Sequence, residues 1–393
     1  PMTDKIPKSV DLRRIDTPAS RHPVTLLAVE RAISELRRGG RVVIRGNNGT
    51  AALAQAAEGI TEETLAQFAA IALSAPALSV TARRASILGL AEAAREHAVS
   101  IVTEPALSAE AIDAIANPLA EPSASLDIKG LDLTIRETAA YDSESAAVAL
   151  TKIARLLPAA ITAPINDPKA DDLAAWSLRH DLLLIDSGDI FQYQRTAART
   201  LRLVSQARVP LADAENTRIL AFRPADGGLE HLAILVGEPD SETPVLTRIH
   251  SECFTGDILA SLRCDCGDQL RGAITEISAA GSGVLLYLAQ EGRGIGLVNK
   301  LRAYELQDRG YDTIDANEQL GFDADERVYL PAAQILLHLG FGSVKLMTNN
   351  PNKVEALIAC GVTVAERVAH TFPSNEHNEA YLQTKARRGG HMF

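Results

Sequence analysis

Three cysteines in the second half of the chain lie close together in the sequence. Cys253, Cys264 and Cys266 follow the spacing Cys-x10-Cys-x-Cys. Zinc prefers soft sulfur ligands in a tetrahedral arrangement, and catalytic zinc sites combine three protein ligands with an open fourth position for water. The spacing therefore predicts that this cysteine trio binds one zinc ion and that the site is catalytic.

Two other interpretations of the cysteines need no metal. Reduced cysteines are often buried as small apolar side chains, but Arg263, Asp265 and Asp268 make this a poor core sequence. A disulfide is disfavoured, because cysteines one residue apart bridge badly and nothing else in the chain indicates an oxidising compartment. Metal binding is the favoured interpretation.

The composition is that of a soluble globular protein, with 46% hydrophobic and 23% charged residues. At 393 residues the chain is too long for one ordinary core, so two domains are expected. No apolar run reaches the length of a membrane span and residues 1–5 contain no signal-peptide core, which favours the cytoplasm and no membrane partner. The net charge of -11 argues against nucleic acid as a partner, but a local basic cluster can still bind a small anion.

Predicted strands and a helix surround the cysteines. The strands are residues 217–223, 231–237 and 244–250. The third of them brings Arg248 and Glu252 directly ahead of Cys253. After the cysteines, residues 269–280 have the periodicity of an amphipathic helix.

A glycine-rich segment follows another predicted strand, residues 283–288. It reads Gln290-Glu291-Gly292-Arg293-Gly294-Ile295-Gly296 and leads into a predicted helix at 297–307. A strand that ends in such a turn directs backbone N–H groups at an anion. A tight turn without a ligand is the alternative, and Glu291 and Arg293 favour a binding loop.

Two later segments contain charged residues that could bind a ligand. Asp325 and Arg327 are two residues apart, so both can face one site only in a loop or an extended segment, and taken by itself this segment is better explained as a solvated charge run. Asn350 and Pro351 are typical of a helix start. Lys353 then lies in the first turn, where a cation opposes the helix dipole unless an anion is bound, so phosphate binding is favoured.

The second half of the chain, residues 202–393, resembles GTP cyclohydrolase II. The family's motifs occur in order and at the family's spacing, as Arg-Ile-His-Ser-Glu-Cys, Leu-Arg-Cys-Asp-Cys-Gly, Gln-Glu-Gly-Arg-Gly-Ile-Gly-Leu, Ala-Tyr-Glu-Leu-Gln-Asp, Gly-Phe-Asp-Ala-Asp-Glu-Arg and Thr-Asn-Asn-Pro-Asn-Lys. The resemblance implies a mixed α/β fold. It also implies conversion of GTP into 2,5-diamino-6-(5-phospho-D-ribosylamino)pyrimidin-4(3H)-one, formate and pyrophosphate in riboflavin biosynthesis.

The resemblance implies roles for the matching residues. Cys253, Cys264 and Cys266 would hold one zinc ion per chain, which makes a water acidic for attack on C8 of guanine. Tyr304, one helical turn after Lys300 and on the same face, would assist near that water.

Asp325 and Arg327 match the family's phosphate chemistry. Arg327 would attack the α-phosphate with Asp325 as proton acceptor, although a guanidinium stays protonated and is better suited to stabilising phosphate charge. The positions that match GTP-binding residues are Arg248, Glu252, Gln269, Glu291, Gly292, Arg293, Thr313, Thr348 and Lys353. Among these, Gln269 or Glu291 is suited to the guanine edge. Magnesium is expected with the triphosphate, and the family suggests a homodimer.

Two positions depart from the family pattern. Ala289 stands where many members have arginine, which predicts a weaker phosphate contact, and Ala380 replaces a histidine that is usual near the tail.

Residues 1–201 resemble 3,4-dihydroxy-2-butanone 4-phosphate synthase in framework but not in chemistry. The similar segments are 32–44, 145–161 and 182–190. The turn that is acidic in the family reads Arg45-Gly46-Asn47-Asn48-Gly49-Thr50-Ala51-Ala52, and Ser143 and Pro164 replace a catalytic histidine and glutamate. Without hard oxygen ligands a magnesium site cannot form. We therefore expect an inactive α/β domain whose role is interface, regulation or folding support.

The sequence thus predicts a two-domain chain of the α+β or α/β class with GTP cyclohydrolase II in its second half. One alternative is a paralogue with an altered product or a role in pyrimidine degradation, and Tyr304, Asp325 and Arg327 argue against it. The other is a catalytically silent nucleotide-binding module, and the complete cysteine trio argues against that.

Overall fold

The computed structural model describes residues 22–90, 98–124 and 126–370. Within these residues the chain forms two seven-stranded sheets, the first from the N-terminal half and the second from the C-terminal half. Helices pack on both sheets, so the prediction of a two-domain mixed α/β chain is confirmed. The expectations for residues 1–21 and for Ala380 lie outside the described residues.

The first sheet is mostly antiparallel. Its strands are β1 (Arg41–Arg45), β2 (Ala51–Ala56), β3 (Ala77–Val80), β4 (Val99–Val102), β5 (Thr134–Glu137), β6 (Ala159–Pro164) and β7 (Leu183–Asp186), in the order β5-β4-β3-β6-β2-β1-β7. Its helices are α1 (His22–Arg37), α2 (Glu62–Ala72), α3 (Ala82–Ile87), α4 (Ala109–Ala116), α5 (Ser143–Ile153), α6 (Leu173–Arg179) and α7 (Ser187–Arg199). Only β1 and β7 pair in parallel among the described strands of this sheet.

The second sheet has an antiparallel half and a parallel half. Its strands are β8 (Arg202–Arg208), β9 (Thr217–Arg223), β10 (His231–Val236), β11 (Val245–Ser251), β12 (Gly283–Leu288), β13 (Ser343–Met347) and β14 (Thr363–Val368), in the order β14-β13-β11-β12-β10-β9-β8. Its helices are α8 (Cys266–Ala279), α9 (Leu297–Asp308), α10 (Thr313–Gln319), α11 (Leu330–His338) and α12 (Pro351–Ala359).

The parallel half positions the predicted chemistry. Strands β13, β11 and β12 are adjacent and parallel, so their carboxyl ends meet at one edge of the sheet. Cys253 follows β11, Gln290 follows β12 and Thr348 follows β13. Ligands of open α/β sheets bind at this edge, which places the three motifs around one region.

Capping side chains lie at the starts of two helices. The side chain of Thr61 caps α2, and Thr64 completes a reciprocal capping box. The side chain of Asn350 accepts a hydrogen bond from Asn352 N at 3.0 Å, and Pro351 is the first residue of α12. These caps stabilise the start of each helix by satisfying backbone N–H groups.

The two halves share an apolar cluster and several ion pairs. The cluster consists of Leu157 from the first half with Ile295, Ala303, Leu306, Ala316, Leu320 and Phe322 from the second. The ion pairs join Arg83 to Glu318 at 2.8 Å, Lys152 to Glu326 at 2.7 Å and Arg302 to Glu58 at 2.8 Å. The N-terminal half thus packs against the elements that follow β12.

None of the helices in the described part of the chain combines the length and the apolar character needed to cross a lipid bilayer.

The interface cluster is expected to contribute to stability. Leu157 is 1% exposed, so L157A removes buried methyl groups and leaves a cavity, which should lower the free energy of unfolding by about 2–5 kcal/mol. Urea unfolding followed by circular dichroism measures the change. The matched control is L178A, because Leu178 is 81% exposed in the same half and its truncation should change the unfolding free energy by less than about 0.5 kcal/mol. Equal effects of the two substitutions would contradict this description of the interface.

Candidate active site

The three predicted metal ligands converge. Cys253 follows β11, Cys264 lies in the loop before α8 and Cys266 is the first residue of α8. Their sulfur atoms all lie within 4.8 Å of one another, and the Sγ atoms of Cys253 and Cys264 are 3.8 Å apart. In a tetrahedron with zinc–sulfur bonds of about 2.3 Å, neighbouring sulfurs are about 3.8 Å apart. The arrangement therefore fits a zinc ion.

The backbone around the trio leaves room for the sulfurs because residue 256 is glycine. A Cβ on Gly256 would lie 2.7 Å from Cys264 Sγ and 3.1 Å from Cys253 Sγ. Gly256 belongs to a π-helical turn, Phe254–Ile258, and such turns are frequent at functional sites. The glycine is thus required by the close approach of the sulfurs.

A buried polar network centred on Asp257 holds the backbone of Cys253. Asp257 Oδ2 accepts hydrogen bonds from Cys253 N at 3.0 Å and from the Tyr287 hydroxyl at 2.8 Å. The other carboxylate oxygen, Oδ1, lies 3.0 Å from His250 Nε2. Burial lowers the pKa of His250, so the neutral ring donates from Nε2 to Asp257. These contacts fix the backbone from which the first sulfur projects.

Lys300 on α9 contacts the sulfur atom of Cys253. Its ammonium group donates to Cys253 Sγ at 3.0 Å, to Thr255 Oγ1 at 2.8 Å and to Glu291 Oε1 at 2.9 Å. Burial opposes the charge on Lys300, but the hydrogen bond and the negative charge of Cys253 outweigh burial and raise the pKa of Lys300. The lysine is therefore a fixed positive charge beside the sulfur trio.

The pKa values of the three thiols differ because the thiols form hydrogen bonds with one another and with Lys300. Hydrogen bonds from Cys264 and Cys266, together with Lys300, lower the pKa of Cys253. The hydrogen bond to the Cys253 thiolate in turn raises the pKa of Cys264 to about 11, and Cys266 shifts in the same direction. Three thiolates at this spacing repel one another, and a divalent cation would allow all three to ionise.

The glycine-rich segment forms a tight left-handed turn after β12. Gly292 and Arg293 have φ values of 65° and 61°, and Gly294 has a φ of 97°. Glycine adopts this conformation without a steric cost, whereas Arg293 is one of the few non-glycine residues that adopt it in the described chain. Non-glycine residues held in this region cluster at functional sites. The turn directs Glu291, Gly292 and Arg293 into the pocket.

Glu291 already has several protein partners. Its Oε1 accepts from Lys300 Nζ at 2.9 Å and from Gly292 N at 2.8 Å, and its Oε2 accepts from Phe254 N at 2.6 Å. The side chain is 5% exposed. Of the two residues expected at the guanine edge, Glu291 therefore also connects the glycine-rich turn to the metal site.

The other guanine-edge candidate, Gln269, lies on α8 between two charged residues. Its Oε1 accepts from Arg248 Nη2 at 2.6 Å and its Nε2 donates to Asp265 Oδ2 at 2.5 Å. Arg248 also donates to the Met347 carbonyl at 3.0 Å, and burial lowers its pKa to about 10. Arg248 and Gln269 are thus hydrogen-bonded to each other, and both line the pocket.

A buried lysine and the starts of two helices also line the pocket. Lys353, in the first turn of α12, is 7% exposed and donates to the Ile249 carbonyl at 3.2 Å. Thr348 accepts from Asn350 N at 3.0 Å, and Thr313 is the first residue of α10. Buried cations and helix N-termini stabilise anions.

Asp325 and Arg327 lie in the irregular segment before α11. The guanidinium of Arg327 binds Asp325 through Nε at 2.7 Å and Nη2 at 2.5 Å. Desolvation raises the pKa of Asp325, but the hydrogen bonds and charge of Arg327 outweigh it and the net shift is downward. Asp325 is therefore a carboxylate that orients Arg327.

One pocket collects nearly all of the predicted site residues. Its lining includes Arg248, Glu252, Cys253, Cys264, Cys266, Gln269, Glu291, Gly292, Arg293, Tyr304, Thr313, Arg327, Thr348 and Lys353. Asp325 does not line the pocket and reaches it through Arg327. The structure thus brings these residues together, while the role of each remains a prediction.

Other residues line the same pocket without a role predicted from the sequence. They are His250, Ser251, Arg263, Ile295, Lys300, Ala303, Gln307, Asn317, Asn349, Asn350 and His370. Lys300 was detectable from its position one turn before Tyr304 on the same helix face. The support that Asp257 gives to Cys253 depends on the irregular turn between them, and no spacing rule predicts that turn.

Comparisons with known proteins support one family. The family model for GTP cyclohydrolase II matches residues 202–369. The chain is 55% identical over 366 residues to a GTP cyclohydrolase-2 of Azospirillum brasilense, covering 93% of this chain and 94% of that protein. It is also 46% identical over 226 residues to the riboflavin biosynthesis protein RibBA of Bacillus velezensis, covering 57% of this chain and 56% of that one.

A solved structure is similar at a lower level. It is a two-domain 3,4-dihydroxy-2-butanone 4-phosphate synthase from A. baumannii, 18% identical, with 87% of this chain and 99% of that chain covered. The TM-score is 0.36, which is too low to establish a shared fold.

The close approach at Gly256 predicts loss of metal binding when a methyl group is added. In G256A the new Cβ would clash with Cys264 Sγ at 2.7 Å and with Cys266 Cβ at 2.9 Å, so the sulfurs cannot keep their spacing. We expect purified G256A to contain less than about a tenth of the zinc of the wild type, measured by inductively coupled plasma mass spectrometry. The control is G188A, because no atom lies within 4 Å of a Cβ at Gly188. Full zinc content in G256A would contradict the proposed geometry.

The lowered pKa of His231 predicts that the stability of the protein depends on pH. Its Nδ1 accepts a hydrogen bond from Ala289 N at 3.1 Å, and burial, with a contribution from Arg155, lowers its pKa from 6.5 to about 4. The unfolded chain therefore binds a proton at a higher pH than the folded chain. Between about pH 6.5 and about pH 4, stability falls as the pH falls, by at most about 1.4 kcal/mol per pH unit from this residue.

The H231N variant isolates this contribution. An asparagine oxygen can accept the same hydrogen bond without titrating, so the free energy of unfolding in urea should fall less steeply over the same pH range than in the wild type. H180N changes an exposed histidine of the N-terminal half and should keep the wild-type slope. An unchanged slope in H231N would exclude His231 as the source.

Proposed function

Because the chain belongs to the GTP cyclohydrolase II family, we propose that this pocket converts GTP into 2,5-diamino-6-(5-phospho-D-ribosylamino)pyrimidin-4(3H)-one, formate and pyrophosphate in riboflavin biosynthesis. The observation that supports this most directly is the cysteine trio, which lies in the same pocket as Arg248, Lys353 and Arg327. A metal site beside several cations suits a substrate that combines a purine ring with a triphosphate.

We propose that Cys253, Cys264 and Cys266 hold one zinc ion. Zinc, when bound, would act as a Lewis acid that lowers the pKa of a water molecule, so that the resulting hydroxide can attack C8 of guanine. Lys300 partly balances the thiolate charge, and Asp257 keeps the Cys253 backbone in place. The trio thus has the support from neighbouring groups that metal ligands require.

Tyr304 is assigned to assisting the chemistry near the metal site. The Tyr304 hydroxyl lies 3.4 Å from Thr255 Oγ1, which in turn contacts Lys300. Burial raises the pKa of Tyr304, so the phenol keeps its proton and can donate a hydrogen bond. Glu252, which precedes Cys253 and lines the same pocket, is assigned to binding GTP.

The triphosphate is assigned to Thr348, Lys353, Arg293 and Arg327, which line the pocket. Backbone N–H groups of the glycine-rich turn add donors that carry no net charge. Magnesium would accompany the triphosphate, bound mainly through phosphate oxygens and water. Arg327, oriented by Asp325, would stabilise the charge that develops as the pyrophosphate leaves.

We further propose that residues 1–201 form a synthase-like domain without its own reaction, that the chain acts as a homodimer and that it works in the cytoplasm. Support for the first point comes from the positions where the synthase chemistry is expected. Ser143 and Pro164 lack a titratable group, and the turn after β1 contains Asn47 and Gly49 in place of acidic residues. Such residues cannot assemble a magnesium site.

Product analysis tests the proposed function. The wild type is incubated with GTP and magnesium, and formate, pyrophosphate and the diaminopyrimidine are measured. We expect all three in equal amounts and a strong loss on treatment with a zinc chelator. C264S should lose zinc and at least about a thousandfold in kcat, because one metal ligand is gone. The matched control C360S should retain both, because Cys360 lies at the end of α12 and outside the trio.

Other outcomes of the same assay would contradict the proposal. A formylated pyrimidine as the sole product would indicate a paralogue with altered chemistry. Binding of GTP without any product would indicate a silent nucleotide-binding module. Ribulose 5-phosphate, given to the same preparation, should yield no butanone phosphate, and its appearance would overturn the account of residues 1–201.

A further inference from the structure

We propose that Arg155, which belongs to the N-terminal half, is a positioning residue for the GTP pocket of the C-terminal half. Arg155 holds the residue that leads into the glycine-rich turn, Gln290 to Gly296, and does not itself line the pocket. The inference rests on the proposed function, because it concerns catalysis in that pocket. It also gives the N-terminal half a defined part in that reaction.

Arg155 contacts the backbone of Ala289, whose own side chain is apolar. The Arg155 guanidinium donates through Nη2 to the Ala289 carbonyl at 2.6 Å. On its other side, the Ala289 N–H donates to His231 Nδ1 at 3.1 Å. Residue 289 is the last before the turn, so these two hydrogen bonds fix the direction in which the chain leaves β12.

Hydrogen bonds connect the glycine-rich turn to the metal site. Glu291, two residues after Ala289, accepts hydrogen bonds from Lys300 and from Phe254 N, and Lys300 donates to Cys253 Sγ. Movement of the turn would therefore alter both the contacts to substrate and the surroundings of the first metal ligand. A displacement of about 1 Å in such groups can reduce a rate by about a hundredfold.

The backbone at Arg155 is joined to the helix that carries Lys300. Asn299, which is 0% exposed, donates to the Arg155 carbonyl at 3.0 Å and to the Ile295 carbonyl at 3.0 Å. Its side-chain oxygen accepts from Arg302 Nη1 at 2.7 Å. The N-terminal half thus contacts the start of α9 through the same residue whose side chain holds the turn.

The local backbone shows that this docking is tight. A Cβ on Gly296 would lie 3.0 Å from both Cβ and Cδ of Arg155. Arg155 itself has a φ of 60°, a left-handed conformation that is unfavourable for arginine. Such strain persists where surrounding contacts determine the conformation, and it occurs preferentially at functional sites.

The test compares substitutions in the full-length protein after zinc loading. R155M removes the hydrogen bond to Ala289 and keeps an unbranched side chain. R155Q keeps a polar group that is too short to reach the carbonyl, and it provides the comparison if R155M does not fold. R155K retains a donor of similar reach. The matched control is R179M, because Arg179 also donates to a backbone carbonyl, that of Lys169 at 2.9 Å, but within the N-terminal half.

We expect R155M and R155Q to lower kcat/KM for GTP about tenfold or more, mainly through a higher KM, with zinc content unchanged. R155K should remain within about threefold of the wild type, and R179M should be indistinguishable from it. Hydrogen exchange measured by mass spectrometry, without substrate, should show faster exchange of amides 290–296 in R155M and R155Q and not in R179M.

Two results separate failure of this inference from failure of the proposed function. If the wild type does not convert GTP, the proposed function fails, and the hydrogen-exchange comparison still tests the positioning. If the wild type converts GTP and R155M or R155Q matches R179M in KM, kcat and hydrogen exchange, the positioning role is excluded. A lower melting temperature with unchanged kinetic constants would also exclude it, because that result assigns Arg155 to general stability alone.

Discussion

The site depends on the electrostatics of three sulfur atoms held close together. At 3.8 Å between Cys253 and Cys264, thiolates repel one another strongly, and burial adds to that cost. The surrounding charges fit this constraint, since Lys300 contacts one sulfur directly and Glu291 fixes Lys300. Asp257, Glu291 and Lys300 thus support the three cysteines, Asp257 through the Cys253 backbone and Lys300 through the Cys253 sulfur.

The sheet topology explains why these groups are brought together. Three adjacent parallel strands end at one edge, and each is followed by a segment with a different function, namely the cysteine turn, the glycine-rich turn and the start of α12. Strand β12 also pairs with antiparallel β10, whose first residue, His231, contacts Ala289. The pocket therefore lies at the parallel edge of the sheet, and antiparallel β10 supplies the histidine that holds the residue before the glycine-rich turn.

Elements in which local chemistry determines structure were predictable from the sequence. The cap at Asn350 and the strand from Gly283 to Leu288 occur where the pattern predicts them. In these cases the decisive interactions lie within a few residues of one another, so a local pattern is sufficient.

What the sequence did not predict depends on contacts between distant residues. Strand β8 has no clear hydrophobic alternation because it is an edge strand with most side chains exposed. The contact between Arg155 and Ala289 joins residues that are 134 positions apart. Neither residue carries a signal of that pairing in its own segment. Long-range docking of two domains is set by the shape of both surfaces, which single-sequence periodicity does not contain.

The geometry also bears on the chemical role of Arg327. A nucleophilic guanidinium would have to lose a proton, and the base available to it is Asp325. Hydrogen bonds and charge from Arg327 lower the pKa of Asp325 despite its desolvation, which makes this carboxylate a weaker base than an ordinary aspartate. The bidentate pair, at 2.7 Å and 2.5 Å, stabilises the protonated guanidinium further. Both effects favour the charged form, so the arrangement suits Arg327 to stabilising phosphate charge and disfavours direct attack by its nitrogen.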